Sequence, residues 1–94
     1  MDKPCVYILA NKNNTTLYVG VTSCLKKRIF EHKSKAVKCF SSKYNVDKLV
    51  YYEIFDDMEQ AIKREKQLKA GSRIKKCNLI ESFNSGWVDL YNEI

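Results

Sequence analysis

The sequence predicts an α/β or α+β domain with the element order ββαβαα, in which a three-stranded, mainly antiparallel sheet is flanked by helices. Two short apolar runs near the N-terminus are separated by an asparagine-rich tetrapeptide, which is typical of a β-hairpin. A third apolar run and three segments with helical periodicity follow. A chain of 94 residues can bury one modest core, so we expect residues 1–94 to form a single domain.

The first two runs are the predicted hairpin. Cys5 to Ala10 (CVYILA) is almost continuously apolar, which predicts a strand buried on both faces. Residues 11–14 are rich in asparagine, a residue that tolerates left-handed turn geometry. Residues 15–21 return as the second strand, and Gly20 within it indicates a close approach of backbone or ligand.

A helix is predicted between the second and third strands. Thr22 or Ser23 is a suitable N-cap for a helix over about residues 24–35, on which apolar side chains four residues apart face the core. The basic segment over residues 33–44 is predicted to be an exposed, irregular connection.

The second half of the chain is predicted to contain a strand and two helices. Residues 48–55 are apolar and aromatic, which favours a third strand. Two aspartates then begin a helix over about residues 58–69. Ser72 caps a further helix that runs to about Phe83, with Ile74, Leu79, Ile80 and Phe83 facing inward. The tail packs back as a turn and a short helix.

Composition and charge narrow the class of protein. The net charge of +6 is high for so short a chain and suggests a polyanionic partner, either nucleic acid or an anionic surface. The four cysteines form no C-x-x-C pair and one histidine is present, which argues against a zinc site. We see no secretory signal and no apolar run near the ~20 residues of a membrane span, so we expect a cytoplasmic protein without a membrane partner.

Glu65 is the most informative single position. It lies on the apolar stripe of its helix, between Ile62 and Leu68, although its basic neighbours lie on outward faces. A buried carboxylate is costly unless it is paired or binds a cation. Two interpretations follow: an internal ion pair with Arg28 or another cation, or a ligand for Mg²⁺, which often takes only one or two carboxylates.

Four other side chains suit chemistry on a phosphate. Arg28 and His32 lie one helical turn apart; they suit phosphate binding and proton transfer, although solvated surface residues would look the same. Tyr7 and Tyr18 would ordinarily pack a sheet. If the hairpin pairs around its asparagine turn, however, the two tyrosines lie at equivalent heights on adjacent strands, where their hydroxyl groups could meet.

Basic residues form a second set of candidate functional residues. They would hold a phosphate backbone without reading its sequence, although a solvated helix face is the alternative. The residues predicted to contact nucleic acid are Lys26, Lys27, Lys33, Lys63, Lys66, Lys69, Arg73, Lys75 and Lys76.

Together these residues resemble the GIY-YIG endonuclease superfamily, and in particular its small, single-domain bacterial members. The two family triplets correspond to Cys5-Val6-Tyr7 and Tyr18-Val19-Gly20. The other family positions correspond to Arg28, His32, Glu65 and Asn84. Two positions depart from the pattern. Cys5 replaces the first glycine, and Val21 stands where some members carry a lysine that helps to deprotonate a tyrosine, which leaves the identity of the general base open.

The resemblance implies metal-dependent hydrolysis of a DNA phosphodiester bond by one divalent ion, Mg²⁺ or Mn²⁺. In the implied mechanism Glu65 holds the metal and Tyr7 or Tyr18 activates the attacking water. Arg28 stabilises charge in the transition state, and His32 orients or relays a proton. The catalytic residues that the resemblance implies are Tyr7, Tyr18, Arg28, His32, Glu65 and Asn84.

The implied partner is DNA, including branched or single-stranded forms. Sequence-specific cleavage by so short a chain would need a targeting partner or a second copy of the chain. A catalytically weak or inactive DNA- or RNA-binding module of the same fold is the main alternative. A protein-interaction domain whose basic surface is incidental is a third.

Overall fold

The computed structural model describes residues 3–34 and 45–94. In these residues three strands form one antiparallel sheet: β1 (Cys5–Ala10), β2 (Leu17–Thr22) and β3 (Lys48–Ile54). The strand order is β2-β1-β3, so that β1 is central and β2 and β3 form the two edges. The predicted hairpin and third strand are therefore confirmed.

Three α-helices are present in the described ranges: α1 (Leu25–Ser34), α2 (Met58–Ala70) and α3 (Arg73–Phe83). A 3₁₀ turn over Tyr91–Glu93 ends the tail. The element order is ββαβαα, which confirms the predicted α+β class. Neither these helices nor the 3₁₀ turn could cross a bilayer, because all are too short and too polar. Most of the irregular connection predicted over residues 33–44 lies outside the described ranges.

The asparagine turn sets the register of the hairpin. The side-chain carbonyl of Asn11 accepts hydrogen bonds from the backbone N–H groups of Thr15 (2.8 Å) and Thr16 (3.1 Å). Asn14 has a φ of 58°, the left-handed conformation that asparagine tolerates better than most residues. This turn chemistry fixes which residues of β1 and β2 lie opposite each other.

The register places the two candidate tyrosines on one face of the sheet. Tyr7 lies opposite Gly20 of β2 and Tyr52 of β3, while Leu9 lies opposite Tyr18. Alternate residues of a strand point to opposite faces, and directly opposed residues share a face. Tyr7, Tyr18 and Gly20 therefore all face α1. The expectation that the tyrosines lie at equivalent heights is wrong, because they are diagonal neighbours offset by two residues in the register.

Each face of the sheet carries a hydrophobic core, and β1 is fully buried between them. The core on the α1 face includes Cys5, Tyr7, Leu9, Leu25, Ile29 and Leu90. The core on the opposite face includes Val6, Ile8, Ala10, Ala61, Leu68 and Ile80, so α2 and α3 pack there. The prediction that the first strand is buried on both faces is confirmed.

Helix α3 packs differently from the prediction. Ile80 is buried, but Ile74 is 72% exposed and Phe83 is 48% exposed, so the expectation that these two residues face inward is wrong. The one buried residue of α3 is Ile80, in its C-terminal half, and the helix packs against β3. Phe83 wraps around the edge of β3, where its ring makes edge-to-face contacts with Tyr51 and Tyr52.

Two side chains fasten the C-terminal tail. The buried amide of Asn84 donates to the carbonyl oxygens of Val50 (3.2 Å) and Val88 (2.8 Å) and accepts a hydrogen bond from the N–H of Val88. The carboxylate of Asp89 accepts a hydrogen bond from the N–H of Leu49 at 3.2 Å. The tail is thereby held against β3.

Candidate active site

The hairpin and α1 bring three ring side chains into one cluster. The ring centroids of Tyr7 and Tyr18 are 6.3 Å apart, and that of His32 lies 5.8 Å from Tyr7 and 5.6 Å from Tyr18. Tyr7 and His32 are buried, whereas Tyr18 is partly exposed. Residues that are distant in sequence thus form a compact group with one side accessible to solvent.

A buried hydrogen bond joins the first tyrosine to the histidine. The hydroxyl oxygen of Tyr7 lies 3.0 Å from Nε2 of His32. Burial lowers the pKa of His32, and the positive charge of Arg28 lowers it further. The imidazole is therefore neutral at pH 7, and its unprotonated Nε2 can accept the phenolic proton when the other ring nitrogen carries the hydrogen.

Arg28 connects this buried pair to the solvent. Its hydrogen bond to Tyr7 raises the pKa of Arg28, with a smaller contribution from its hydrogen bond to Glu31. The side chain of Arg28 is about one-third exposed. A guanidinium group held in this way keeps its charge and can turn its remaining donors toward a ligand.

Gly20 is required by the position of Tyr7. A Cβ atom built on Gly20 would lie 2.4 Å from both Cζ and the hydroxyl oxygen of Tyr7. Real Cβ contacts are not this short, so any side chain at this position would displace the phenol. The close approach predicted for this glycine is the ring of Tyr7.

An open cleft of about 460 Å³ lies beside the cluster, next to the end of β2. Residues 21–24 form one wall, and Lys27, Arg28 and Glu31 of α1 form another. Met58, the first residue of α2, also lines the cleft. The cleft is therefore bordered by helices from both faces of the sheet.

Glu65 lies on α2 and so on the face of the sheet opposite the tyrosines. Ala61 and Leu68 point into the core beneath α2. Arg64 leans to one side of this buried stripe and forms an ion pair with Glu53 of β3 at 3.1 Å. Consecutive helical residues differ by about 100° in direction, so Glu65 lies on the other flank of α2, toward the edge formed by β2.

Glu65 is paired, although weakly. Its side chain is 16% exposed, and its Oε2 lies 3.1 Å from Nζ of Lys69, one turn further along α2. Lys69 is half exposed, and a pair of this kind contributes at most about 1 kcal/mol. The ion-pair interpretation of Glu65 is thus represented in the structure, with Lys69 as the cation.

The donor set near Glu65 would suit a hard divalent cation that keeps most of its water. Among the described residues there is no group of three or more histidine, cysteine, aspartate or glutamate side chains that could enclose a metal ion. One carboxylate with water and phosphate oxygens is a common arrangement for Mg²⁺. Glu65, mostly buried and paired with the exchangeable ammonium group of Lys69, fits this role.

Asn84 lies apart from the ring cluster. Its amide fastens the tail at β3, and β3 and β2 are separated by the central strand. The hydrogen bonds of Asn84 give it a structural role, and its implied catalytic role stays a prediction.

The nine basic residues do not form one uniform surface. Three of them are engaged elsewhere: Lys33 pairs with Asp89, the Lys76 ammonium donates to the carbonyl of Gly71, and Arg73 donates to the carbonyl of Asn14. The exposed members without a backbone anchor are Lys26, Lys27, Lys63, Lys66, Lys69 and Lys75. Of these, Lys27 lines the cleft and Lys69 contacts Glu65, so these two touch the candidate site.

Sequence reasoning missed Glu31 as part of the site. It is half-buried, and its Oε1 lies 3.4 Å from Nη1 of Arg28. The available signal was its spacing, since residues three apart on a helix are neighbours.

A family model for the GIY-YIG catalytic domain matches residues 3–78. Because this match covers most of the chain, the protein belongs to the GIY-YIG family, as the resemblance implied. Its relatives include UPF0213 proteins. One from Staphylococcus saprophyticus is 38% identical over 80 residues, covering 85% of this chain and 96% of that protein. One from Syntrophus aciditrophicus is 39% identical over 85 residues, covering 86% of this chain and 93% of that protein.

A solved structure has the same overall arrangement. The solution NMR structure of a UPF0213 protein from Bacillus halodurans matches with a TM-score of 0.58 and 28% sequence identity. The match covers 90% of this chain and 89% of that one.

The lowered pKa of His32 gives a testable pH dependence. The unfolded chain binds a proton at the ordinary histidine pKa of about 6.5, before the native state does. We therefore expect the free energy of unfolding to fall as the pH drops from about 6.5 through the lower native pKa. The chain has a single histidine, so one set of imidazole resonances in an NMR titration reports its midpoint directly. A midpoint at or above 6.5 would contradict the buried, neutral imidazole.

Proposed function

We propose that this protein is a metal-dependent endonuclease that hydrolyses DNA phosphodiester bonds with a single divalent cation, Mg²⁺ or Mn²⁺. The observation that carries the proposal is the buried hydrogen bond between Tyr7 and His32, with Arg28 linking Tyr7 to an open cleft. Membership of the GIY-YIG catalytic-domain family supports a nucleic acid as the substrate.

The ring cluster supports Tyr7 as the general base. A phenol is a weak base unless it loses its own proton, and His32 provides an acceptor 3.0 Å away. Tyr7 would take a proton from the attacking water while its own proton moves along the hydrogen bond to Nε2 of His32, and His32 would then give that proton up to the leaving oxygen or to solvent. Arg28 would stabilise the phenolate and then the negative charge on the phosphate. His32 thereby supplies the function of the lysine that Val21 replaces.

Glu65 would hold the metal ion from the flank of α2 that faces the edge of β2. A bound Mg²⁺ or Mn²⁺ supplies Lewis-acid polarisation of the phosphate and stabilises charge on the leaving oxygen. Arg28 approaches the same edge from the other face of the sheet, through a cleft that Met58 of α2 also lines. A phosphodiester lying along this edge would be within reach of both helices.

A DNA- or RNA-binding module with little or no cleavage is the second candidate. Two observations favour it: Glu65 contacts Lys69, and α2 packs on the face opposite Tyr7. If no metal replaces Lys69, the chain keeps a cationic cleft without a hydrolytic centre.

A cleavage assay separates the two functions. Purified protein is incubated with supercoiled, linear duplex, single-stranded and branched DNA in Mg²⁺, Mn²⁺ or EDTA, and binding is measured in parallel in EDTA over a range of salt concentrations. We expect new strand ends on at least one DNA form with metal and none in EDTA. Salt-dependent binding without cleavage of any form would favour the binding module, and loss of both would exclude a nucleic-acid function.

A further inference from the structure

Glu31 lies in the cleft and takes no part in the proposed hydrolysis. Its carboxylate shares the cleft with Lys27 and Arg28, and it forms an ion pair with Arg28. Both members of this pair are about one-third exposed, at 32% for Arg28 and 31% for Glu31. A negatively charged group therefore stands where the proposed substrate would bring another one.

We propose that Glu31 is an internal substitute for a phosphate group, which covers Arg28 in the free protein and is displaced by an incoming phosphodiester. The proposal rests on the proposed function for the identity of the natural ligand. Carboxylate and phosphate oxygens compete for the same donors, because both accept hydrogen bonds from the planar guanidinium fork.

The geometry indicates that Glu31 is easily displaced. Its single contact with Arg28 is 3.4 Å long, whereas a strong charge-assisted hydrogen bond measures about 2.7–2.9 Å. A partly exposed ion pair of this kind contributes only about 0–1 kcal/mol. By contrast, the hydrogen bond with Tyr7 is the largest cause of the raised pKa of Arg28. The guanidinium group thus has a stronger interaction with Tyr7 than with Glu31, which covers it only loosely.

The consequence is that Glu31 influences which anions bind to Arg28. A ligand that binds Arg28 through both nitrogens of its guanidinium fork must exchange with the Glu31 carboxylate, whereas a ligand that uses one remaining donor need not, and this distinguishes two-oxygen binding of a phosphodiester from weaker contacts. Glu31 also offsets part of the positive charge of Lys27 and Arg28, and so reduces non-specific attraction of polyanions.

The test compares Glu31→Gln with Glu81→Gln, which removes the same charge from an exposed position on α3. Two probes are used in EDTA: a short single-stranded DNA followed by fluorescence anisotropy, and inorganic phosphate followed by the Nε–H resonance of Arg28 in NMR spectra. We expect Glu31→Gln to bind each probe about three- to tenfold more tightly than wild type. Glu81→Gln should stay within about twofold of wild type.

Equal affinities for Glu31→Gln and Glu81→Gln would overturn the proposal. Weaker binding by Glu31→Gln would also overturn it, since Glu31 would then hold Arg28 in its binding position. Glu31→Asp keeps the charge on a shorter side chain and should lie between wild type and Glu31→Gln. Neither probe depends on cleavage, and the phosphate titration does not depend on DNA. A protein that fails as a nuclease therefore still gives a separate answer here.

Discussion

Glu65→Gln is expected to lower metal-dependent DNA cleavage by about 100-fold or more, while DNA binding in EDTA changes little. A metal ion that stabilises charge in the transition state contributes several kcal/mol, and each ~1.4 kcal/mol changes the rate tenfold. The amide has the shape of the carboxylate but not its charge, so it would bind Mg²⁺ poorly. The measurement is the rate of strand cleavage at several Mg²⁺ concentrations. The control variant is Glu59→Gln, which removes the same charge from an exposed position on the same helix.

A second comparison separates metal binding from a structural ion pair. If Glu65 serves only to pair with Lys69, then Lys69→Gln should impair the protein as much as Glu65→Gln does. If Glu65 holds the metal, Lys69→Gln leaves the carboxylate available, and cleavage should persist at equal or lower Mg²⁺ concentrations. Equal losses in the two variants would contradict the metal role.

Gly20→Ala should have a comparably large effect, although Gly20 carries no chemistry. The added methyl group would overlap the phenol of Tyr7, with centres 2.4 Å apart, so the ring must move. Overpacking of this kind costs about 1–3 kcal/mol of stability. Displacement of a catalytic group by about 1 Å can cost about 100-fold in rate. We expect cleavage to fall by about that factor, with the hydrogen bond from Tyr7 to His32 lost or lengthened.

Gly86→Ala is the matched control. A Cβ atom at Gly86 meets Cγ1 of Val88 at an ordinary 3.5 Å, and the residue is exposed. Thermal unfolding, cleavage rate and the His32 resonances should all stay near wild type in Gly86→Ala and change in Gly20→Ala. An unchanged imidazole environment in Gly20→Ala would show that Tyr7 is not constrained as described.

Local patterns in the sequence predicted the fold and indicated that Tyr7 and Tyr18 lie close together. The first strand was predicted with its observed bounds, because a short apolar run next to an asparagine turn leaves few alternatives. The proximity of Tyr7 and Tyr18 follows from the hairpin register. The contact of both rings with His32 depends only on how the next helix folds back onto that hairpin.

The position of Glu65 could not be predicted in the same way. Helical periodicity indicated that it borders a core, but not which of the two cores, since α2 follows a third strand and packs on the other face of the sheet. Ile74 was assigned to the core because it is apolar, whereas its side chain is 72% exposed. These failures concern contacts between elements that are distant in sequence, on which side-chain spacing carries no information.

The tail that Asn84 and Asp89 fasten has a practical consequence for where this domain can be cut. The family match ends at residue 78, yet Leu90 fills the core beneath α1 together with Leu25 and Ile29. The N–H of Leu90 also donates to the carbonyl of Leu49 at 2.8 Å. A fragment trimmed to the matched region would expose the underside of the helix that carries Arg28 and His32. The cooperative folding unit is therefore longer than the recognisable nuclease motif, and fusions or truncations should leave the last sixteen or so residues intact.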